Sequence, residues 1–372
     1  MTKRERLTAI FRGQIPDRPA IRLWGVHPEQ KLLHPAFGPV RDTACETLDL
    51  MHSAGSPLDL HWGAEPPPME NEQRETGSPD WVDHVRRIKT PAGMLQSVYR
   101  GSTRGHPGYQ MEHLVKEPED LEKLLSVPFV PHPFDPEPWR AKEKELGDGG
   151  ITMFGLPHAM YGLQTLVGSE NFAIWSIEHR DEMVRVMEEY ARRILQHVRR
   201  ALEAGIRGVY GWVGPELCIP PLMSPKDFDE FVTLFDEPII AEIHNGDGRV
   251  WVHSHGGMDA VLERFMEMGV DVLNPLEPPP MGDVTLQEAF ERIGDRMGID
   301  GNIETHDFMT MRADRFRQLV RDTLECGRGR RLILCGSSGY MENPEPGELF
   351  IENLMFYVTD GVACADSMAE DA

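Results

Sequence analysis

Cysteine is scarce in this chain: five residues in 372, at positions 45, 218, 326, 335 and 364, odd in number and without a C-x-x-C pair. That argues against a disulfide framework and for reduced thiols. Basic residues are also few. Lys plus Arg total 38 against 61 Asp plus Glu, a formal charge of −23, so nucleic acid and anionic membrane surfaces are poor partners. Aromatic residues make up only 8%, and although 40% of residues are hydrophobic, enough to bury a core, no uninterrupted apolar run approaches the ~18 residues of a membrane span. The first residues, Met1-Thr2-Lys3-Arg4-Glu5-Arg6-Leu7, pass into a charged helical pattern without the apolar region of a secretory signal, so the expected location is the cytoplasm. No internal repeat is visible, and no G-x-G-x-x-G follows an early strand, which weakens a dinucleotide-binding reading.

What is there is alternation. Short apolar, β-branched runs predict eight strands at 19–26, 57–62, 151–156, 208–213, 249–253, 270–274, 297–301 and 331–335. Helical periodicity fills the intervals: residues 182–204 place Met183, Met187, Tyr190, Ile194, Val198 and Leu202 on one face, the pattern of a helix packed on a sheet. Ser224-Pro225-Lys226-Asp227 is a capping box with proline at the first helical position. Further helices are expected at 258–268, 285–293, 313–326 and 348–359, ending at Gly269, Gly294, Gly327 and Gly361 in left-handed caps. Eight alternating units imply an α/β (β/α)8 TIM barrel as a single domain over residues 1–372, with an open doubly wound sheet as the alternative. Residues 63–150, rich in Pro, Gly and charge, form an insertion too long for an ordinary loop. Within it Thr90-Pro91-Ala92-Gly93 predicts a hairpin between 85–89 and 94–99, placed over the barrel mouth, and residues 117–126 predict a short flanking helix.

In such a barrel the reactive groups lie at the C-terminal strand ends. Here those positions carry His27, His61, Glu65, His158, Trp212, Glu216, His253, His255, Asn274, Glu277, Asp300, Asn302, Glu304, Cys335 and Ser337. In Trp251-Val252-His253-Ser254-His255 the two histidines stand two apart, so both imidazoles can face the mouth. A catalytic zinc takes three protein ligands and keeps one open position. His253 and His255 supply two, and Cys335 is the natural third, with Glu216 or Cys218 as substitutes. The other reading is that the pair hydrogen-bonds substrate and that Cys335 is a small buried hydrophobe. Strand alternation sends Asp300, Asn302 and Glu304 to one side, where a carboxylate can act as acid or base, unless Glu304 caps the following helix. Trp24, Trp62 and Trp212 either wall an apolar substrate pocket or belong to the core.

The residues also carry a resemblance. Arg4-Glu5-Arg6, Arg12-Gly13-Gln14-Ile15-Pro16-Asp17-Arg18-Pro19, Thr90-Pro91-Ala92-Gly93, residues 162–168, Val252-His253-Ser254-His255-Gly256, Gly301-Asn302-Ile303 and Glu352-Asn353-Leu354 resemble the uroporphyrinogen decarboxylase superfamily over nearly the whole length. That superfamily includes corrinoid and cobamide methyltransferases and shares the barrel fold. The decarboxylase itself is disfavoured, because it clusters arginines after its opening Asp-Arg-Pro to bind a polycarboxylate, whereas residues 20–27 here hold one arginine and a tryptophan. Zinc-dependent methyltransferases of the superfamily use His-x-Cys at the fifth strand and a cysteine at the eighth. In this chain His255 replaces the first cysteine, and Cys335 stands two positions before the second, where Ser337 is found. Exchange of a thiolate for imidazole would leave a more Lewis-acidic zinc, less suited to a thiol acceptor.

The resemblance therefore implies a methyltransferase acting on a small O- or N-methylated compound, with a corrinoid protein or tetrahydrofolate as acceptor. Zinc on His253, His255 and Cys335 would polarise the substrate, Glu216 or Glu304 would handle the proton, and Asn302 would orient. Trp24, His27, His61, Trp212 and Asn274 would bind substrate. No D-x-H-x-x-G corrinoid motif is present in this chain, so a corrinoid would arrive on a partner docked at the mouth. A homodimer is a further candidate assembly, although the sequence does not fix the oligomeric state. The alternative is a carboxy-lyase on a small carboxylic acid, with Arg18 or Arg22 pairing the carboxylate.

Overall fold

Thr2 and Glu5 form a reciprocal capping box, the Thr2 hydroxyl accepting the Glu5 N–H at 3.2 Å and the Glu5 carboxylate accepting the Thr2 N–H at 2.8 Å, and so start helix α1 (Lys3–Phe11). Leu7, Ile10 and Phe11 of α1 are buried in one cluster with Ala20, Ile151, Val209, Trp251, Val272 and Ile333. These last six point inward from parallel strands, and α1 closes the N-terminal end of the barrel they line. The computed structural model describes residues 1–341, 343 and 345–370.

In chain order the elements are β1 (Ala20–Ile21), α2 (Phe37–Thr47), β2 (Leu50–Ala54), β3 (Met69–Glu75), β4 (Trp81–Thr90), β5 (Gly93–Ser102), β6 (Tyr109–Glu112), α3 (Pro118–Leu125), α4 (Glu137–Leu146) and β7 (Gly150–Gly155). Then follow α5 (Ala159–Glu178), α6 (Arg180–Glu203), β8 (Val209–Val213), β9 (Arg249–Ser254), β10 (Val272–Pro275), β11 (Gly298–Ile303) and β12 (Leu332–Gly336), with further helices between and after the last strands. The eight-stranded sheet runs β1-β12-β11-β10-β9-β8-β7-β2 with every neighbouring pair parallel. This is the expected TIM-barrel order. Among the described residues no ladder joins β1 to β2; the seam is closed through Asp49 instead. Its N–H donates to the Ile21 carbonyl at 2.8 Å, and its carboxylate accepts the Ile21 N–H at 2.8 Å.

One strand was misplaced by sequence reasoning. Strand two is Leu50–Ala54, not 57–62. The latter segment is loop because the Asp59 carboxylate accepts the backbone N–H groups of His61 and Trp62 at 2.8 and 3.1 Å, removing the donors a ladder would need. The insertion accordingly lies between Ala54 and Gly150. Its hairpin is present, with Thr90 opposite Gly93, but it is the middle of a four-stranded antiparallel sheet β3-β4-β5-β6. Ile88 and Leu95 are buried in one cluster with Leu121 and Leu124 of α3, so the hairpin shares its buried side with that helix. The predicted caps divide. Gly205 and Gly269 are left-handed, with φ of 84° and 98°. Gly294 and Gly327 stay right-handed, at φ −66° and −84°. Gly361 does not stop its helix, which continues through a π-turn into Val362–Glu370.

Candidate active site

The fifth barrel strand, β9, carries Trp251 and His253 inward, and the chain leaves it through His255. The rings stand together at the mouth: His253 lies 5.9 Å from Trp251, 5.2 Å from Trp24 and 4.5 Å from His255 by centroid, the last two edge-on. The inward direction expected from the two-residue spacing is what the strand delivers.

Each imidazole is held at Nδ1. Asn274 sits opposite His253 in the β9–β10 register. Its amide nitrogen donates to the Asp300 carbonyl at 2.7 Å, which turns its oxygen toward His253 Nδ1 at 2.6 Å. An amide oxygen can only accept, so Nδ1 carries the proton and Nε2 keeps its lone pair, facing Glu216 Oε1 at 4.0 Å. Burial holds the His253 pKa down to about 4, so the ring is neutral. His255 differs. Its Nδ1 meets Glu277 Oε1 at 2.8 Å, and the other Glu277 oxygen accepts the Gly256 N–H at 3.0 Å. The hydrogen bond to Glu277 raises the His255 pKa above its usual value. In turn His255 and Gly256 hold Glu277 below the usual carboxylate range against the opposing effect of burial. Burial raises both Glu216 and Glu304, and for Glu304 the neighbouring Glu277 adds to it. The mouth thus holds a hydrogen-bonded dyad, His255–Glu277, biased toward its ionised form, beside two carboxyl groups biased toward their protonated forms.

Glu304 occupies the N-cap position of the helix Thr305–Thr310, yet its side chain makes no capping bond. It accepts the Ser337 hydroxyl at 3.2 Å, and its second oxygen is buried with no partner among the described residues. Asn302 lies opposite Cys335 in the β11–β12 register and is 9% exposed. Asn274, expected to bind substrate, is fully buried with both ends of its amide engaged, so it positions His253 instead.

Two cavities open at this end. One of about 450 Å³ is lined by Leu60, His61, His158, Trp212, Met153 and Trp251 among others. A second, of about 370 Å³, is lined by Trp24, His27, His52 and Lys142 and shares Ser53, Met153 and Trp251 with the first. Trp24, His27, His61 and Trp212 therefore all border a cleft. Three indoles have their N–H groups turned away from it. Trp24 donates to the Gly336 carbonyl, Trp212 to Asp236 and Trp251 to Asp300, at 3.1, 3.2 and 2.8 Å. Trp62, the other tryptophan considered for the pocket wall, is core, 6% exposed.

The zinc ligand set does not fit. Cys335 lies on β12, separated from β9 by β10 and β11. It is fully buried, and burial pushes its thiol up to about 12 even though the Arg22 guanidinium opposes the shift. Cys218 is likewise buried and raised. Among the described residues no three His, Cys, Asp or Glu side chains converge in a way that could hold a metal ion. The arginines are engaged as well. Arg22 forms a buried pair with Asp300, with N–O distances of 2.6 and 3.0 Å, and its guanidinium stacks 4.6 Å over Trp24. Arg18 pairs with Asp49 and Asp366 at 3.3 and 2.6 Å. Asp300, with Arg22 and Trp251 on its carboxylate, is likewise closed to substrate. Sequence reasoning noted Glu277 as a polar strand end without a role, and took Tyr190 for plain core. Glu277 anchors His255, and the Tyr190 hydroxyl meets His61 Nδ1 at 2.7 Å. No helix among the described residues is long and apolar enough to cross a membrane.

The family model described as "Uroporphyrinogen decarboxylase (URO-D)" matches residues 151–347, from β7 through the segment after β12. Two uroporphyrinogen decarboxylases of Prochlorococcus marinus are similar in sequence. That of strain MIT 9312 is 23% identical over 49% of this chain and 52% of its own length, and that of strain MIT 9515 is 21% identical over 60% and 64%. The chain thus matches between about half and two thirds of the length of these relatives. A solved methyltransferase from Methanosarcina mazei superposes over 99% of both chains with a TM-score of 0.60 at 16% identity, a likeness of fold. Because the family match covers more than half of the 372 residues, the chain belongs to the uroporphyrinogen decarboxylase (URO-D) family.

Proposed function

We propose that the protein is a methyltransferase of this family, taking a methyl group from a small O- or N-methylated compound. The observation that supports this reading is the pairing of charges at the mouth. Arg18 and Arg22, the cations a carboxylate substrate would need, are closed within ion pairs to Asp49, Asp366 and Asp300. Lys142, which with Arg22 borders the second cavity, is paired with Glu145, and the proton-bearing groups at these strand ends are His255, Glu216 and Glu304. Breaking a methyl–oxygen or methyl–nitrogen bond leaves an electron pair on the heteroatom, and a positioned acid lowers the barrier by protonating it as it departs. In this reading the His255 imidazolium, fixed by Glu277, gives that proton from Nε2. Glu216 and Glu304 are the secondary donors, His253 Nε2 accepts a hydrogen bond from substrate, and Asn302 orients it. The cavity volumes of about 450 and 370 Å³ suit a small molecule. The acceptor in this proposal is a corrinoid carried by a separate protein, or a tetrahydrofolate, supplying the nucleophile.

The carboxy-lyase alternative requires a free cation at the mouth, and the pairing of Arg18, Arg22 and Lys142 with carboxylates weighs against it. The test is incubation of the protein with reduced cobalamin and a panel of neutral methyl ethers and N-methylamines. Methylcobalamin should accumulate with stoichiometric demethylated product for at least one of them. Release of CO2 from small carboxylic acids, with no methylated cobalamin from any donor, would overturn the proposal.

A further inference from the structure

The 450 Å³ cavity contains two imidazoles, and their hydrogen bonds differ in a way that fixes what the lobe can recognise. His158 has both nitrogens engaged: Nε2 meets the Asp236 carboxylate at 3.0 and 3.1 Å, and Nδ1 accepts the Tyr161 N–H at 3.4 Å. His61 has one. Its Nδ1 lies 2.7 Å from the Tyr190 hydroxyl, while among the described residues its Nε2 meets no protein group. Tyr190 is fully buried, and His61 Nδ1 is the one hydrogen-bond partner of its hydroxyl among the described residues. If the imidazole donated at Nδ1, the Tyr190 proton would be left buried without an acceptor, which folded proteins avoid. The tyrosine is therefore the donor, Nδ1 the acceptor, and the ring proton stands on Nε2.

This is the opposite tautomer to that of His253. We infer that His61 presents an N–H donor into the apolar lobe and selects ligands whose uncharged, apolar body ends in a hydrogen-bond acceptor, such as an aryl ketone or ether oxygen or a heterocyclic nitrogen. Leu58, Leu60, Leu156, Met153 and Trp212 supply the apolar walls, no lysine or arginine lines the lobe, so it has no cation for an anionic end, and Asp59, the one acidic side chain on the wall, accepts the backbone N–H groups of His61 and Trp62. The hydroxyls of Ser53 and Tyr161, also on the wall, can donate or accept and do not discriminate. Burial holds the His61 pKa down to about 4, so the ring stays neutral and its single proton stays assigned. Arg193 fixes the loop behind it, donating to the carbonyls of Leu60 and His61.

The inference rests on the proposed function only in treating this lobe as part of the substrate site, and its test reads binding rather than turnover. Two probes of similar shape differ in the acceptor alone: 4-methylacetophenone, which has a ketone oxygen, and 4-isopropyltoluene, which has no acceptor. In calorimetric titration of the full-length protein the ketone should bind about tenfold tighter, the equivalent of one hydrogen bond of ~1.4 kcal/mol. The gap should close to about twofold or less in His61→Phe and shrink in Tyr190→Phe, which releases the tautomer. In 15N-histidine-labelled wild type, the His61 signal, assigned by its loss in His61→Phe, should report a protonated Nε2 and an unprotonated Nδ1. The reverse tautomer, equal affinities, a gap that persists in His61→Phe, or binding of neither probe would each overturn the inference. Methyl transfer would then still be judged by the cobalamin assay.

Discussion

Glu277→Gln is expected to lower turnover by about 10²-fold or more, within the range typical of a disabled general acid, and to move the alkaline limb of the pH–rate profile to lower pH. The carboxamide keeps the shape of the side chain, but it removes the charge that sustains the imidazolium and, with a single acceptor oxygen, keeps the bond from His255 or the one from Gly256 and not both. In the wild type the His255 pKa stands above 6.5 because of its bond to Glu277, so the acid form survives to higher pH and the rate falls as pH rises through that elevated value. Without the charge the fall comes earlier. A stability signature follows from the same linkage. The His255 contribution is complete below its unfolded value of 6.5 and is lost as pH rises through the folded value. The Glu277 contribution is present above its unfolded value of 4.5 and is lost as pH falls through its depressed folded value. Histidine titration by NMR and the pH–rate profile, measured on both proteins, check the account. A limb that stays in place would show that another group donates the proton.

Asp300→Ala is expected to destabilise the fold by about 3–5 kcal/mol, the usual cost of removing one partner from a buried ion pair. Asp300 is fully buried and holds the Arg22 guanidinium through both oxygens while also accepting the Trp251 N–H. The substitution leaves a guanidinium in the barrel with no counter-charge and orphans an indole N–H. The double variant Arg22→Met, Asp300→Leu should recover most of the loss, because no unpaired charge remains. Urea unfolding of the wild type, Asp300→Ala, Arg22→Met and the double variant, with substrate affinity for Arg22→Met, provides the measurement. The opposite pattern, in which Arg22→Met keeps its stability and loses only substrate affinity, would identify Arg22 as a substrate anchor and revive the carboxylate reading.

The barrel was legible where strands were apolar and β-branched. Residues 249–253, 270–274 and 331–335 match β9, β10 and β12 to within about two residues at each end. Strand β2 was not legible, because Leu50-Met51-His52-Ser53-Ala54 contains no β-branched residue, and the segment 57–62 alternates convincingly until Asp59 captures its N–H groups. The outer strand β3, Met-Glu-Asn-Glu-Gln-Arg-Glu, is almost wholly exposed, so no hydrophobic period marks it. In the site, the inward pair His253 and His255 follows from spacing alone. What spacing cannot supply is the neighbour across the barrel. Cys335 stood at the right kind of strand end for a ligand, yet its surroundings are Arg22 and Asp300, set by packing between β1, β11 and β12. The same holds for Asn274, a polar strand end whose amide is consumed by two backbone-distant partners. The roles of Glu277 and Tyr190 depend on contacts 22 and 129 residues away in sequence, beyond the reach of any local pattern.

The central claim is that this mouth breaks a bond to a methyl carbon and leaves carboxylates untouched. The most direct measurement uses neutral methyl ethers and N-methylated compounds labelled at the methyl carbon, and in parallel small carboxylic acids labelled at the carboxyl carbon, incubated with the protein and reduced cobalamin. The account predicts that the methyl label moves to cobalamin while the carboxyl label stays in the acid. Labelled CO2, with the methyl carbon retained, would contradict it.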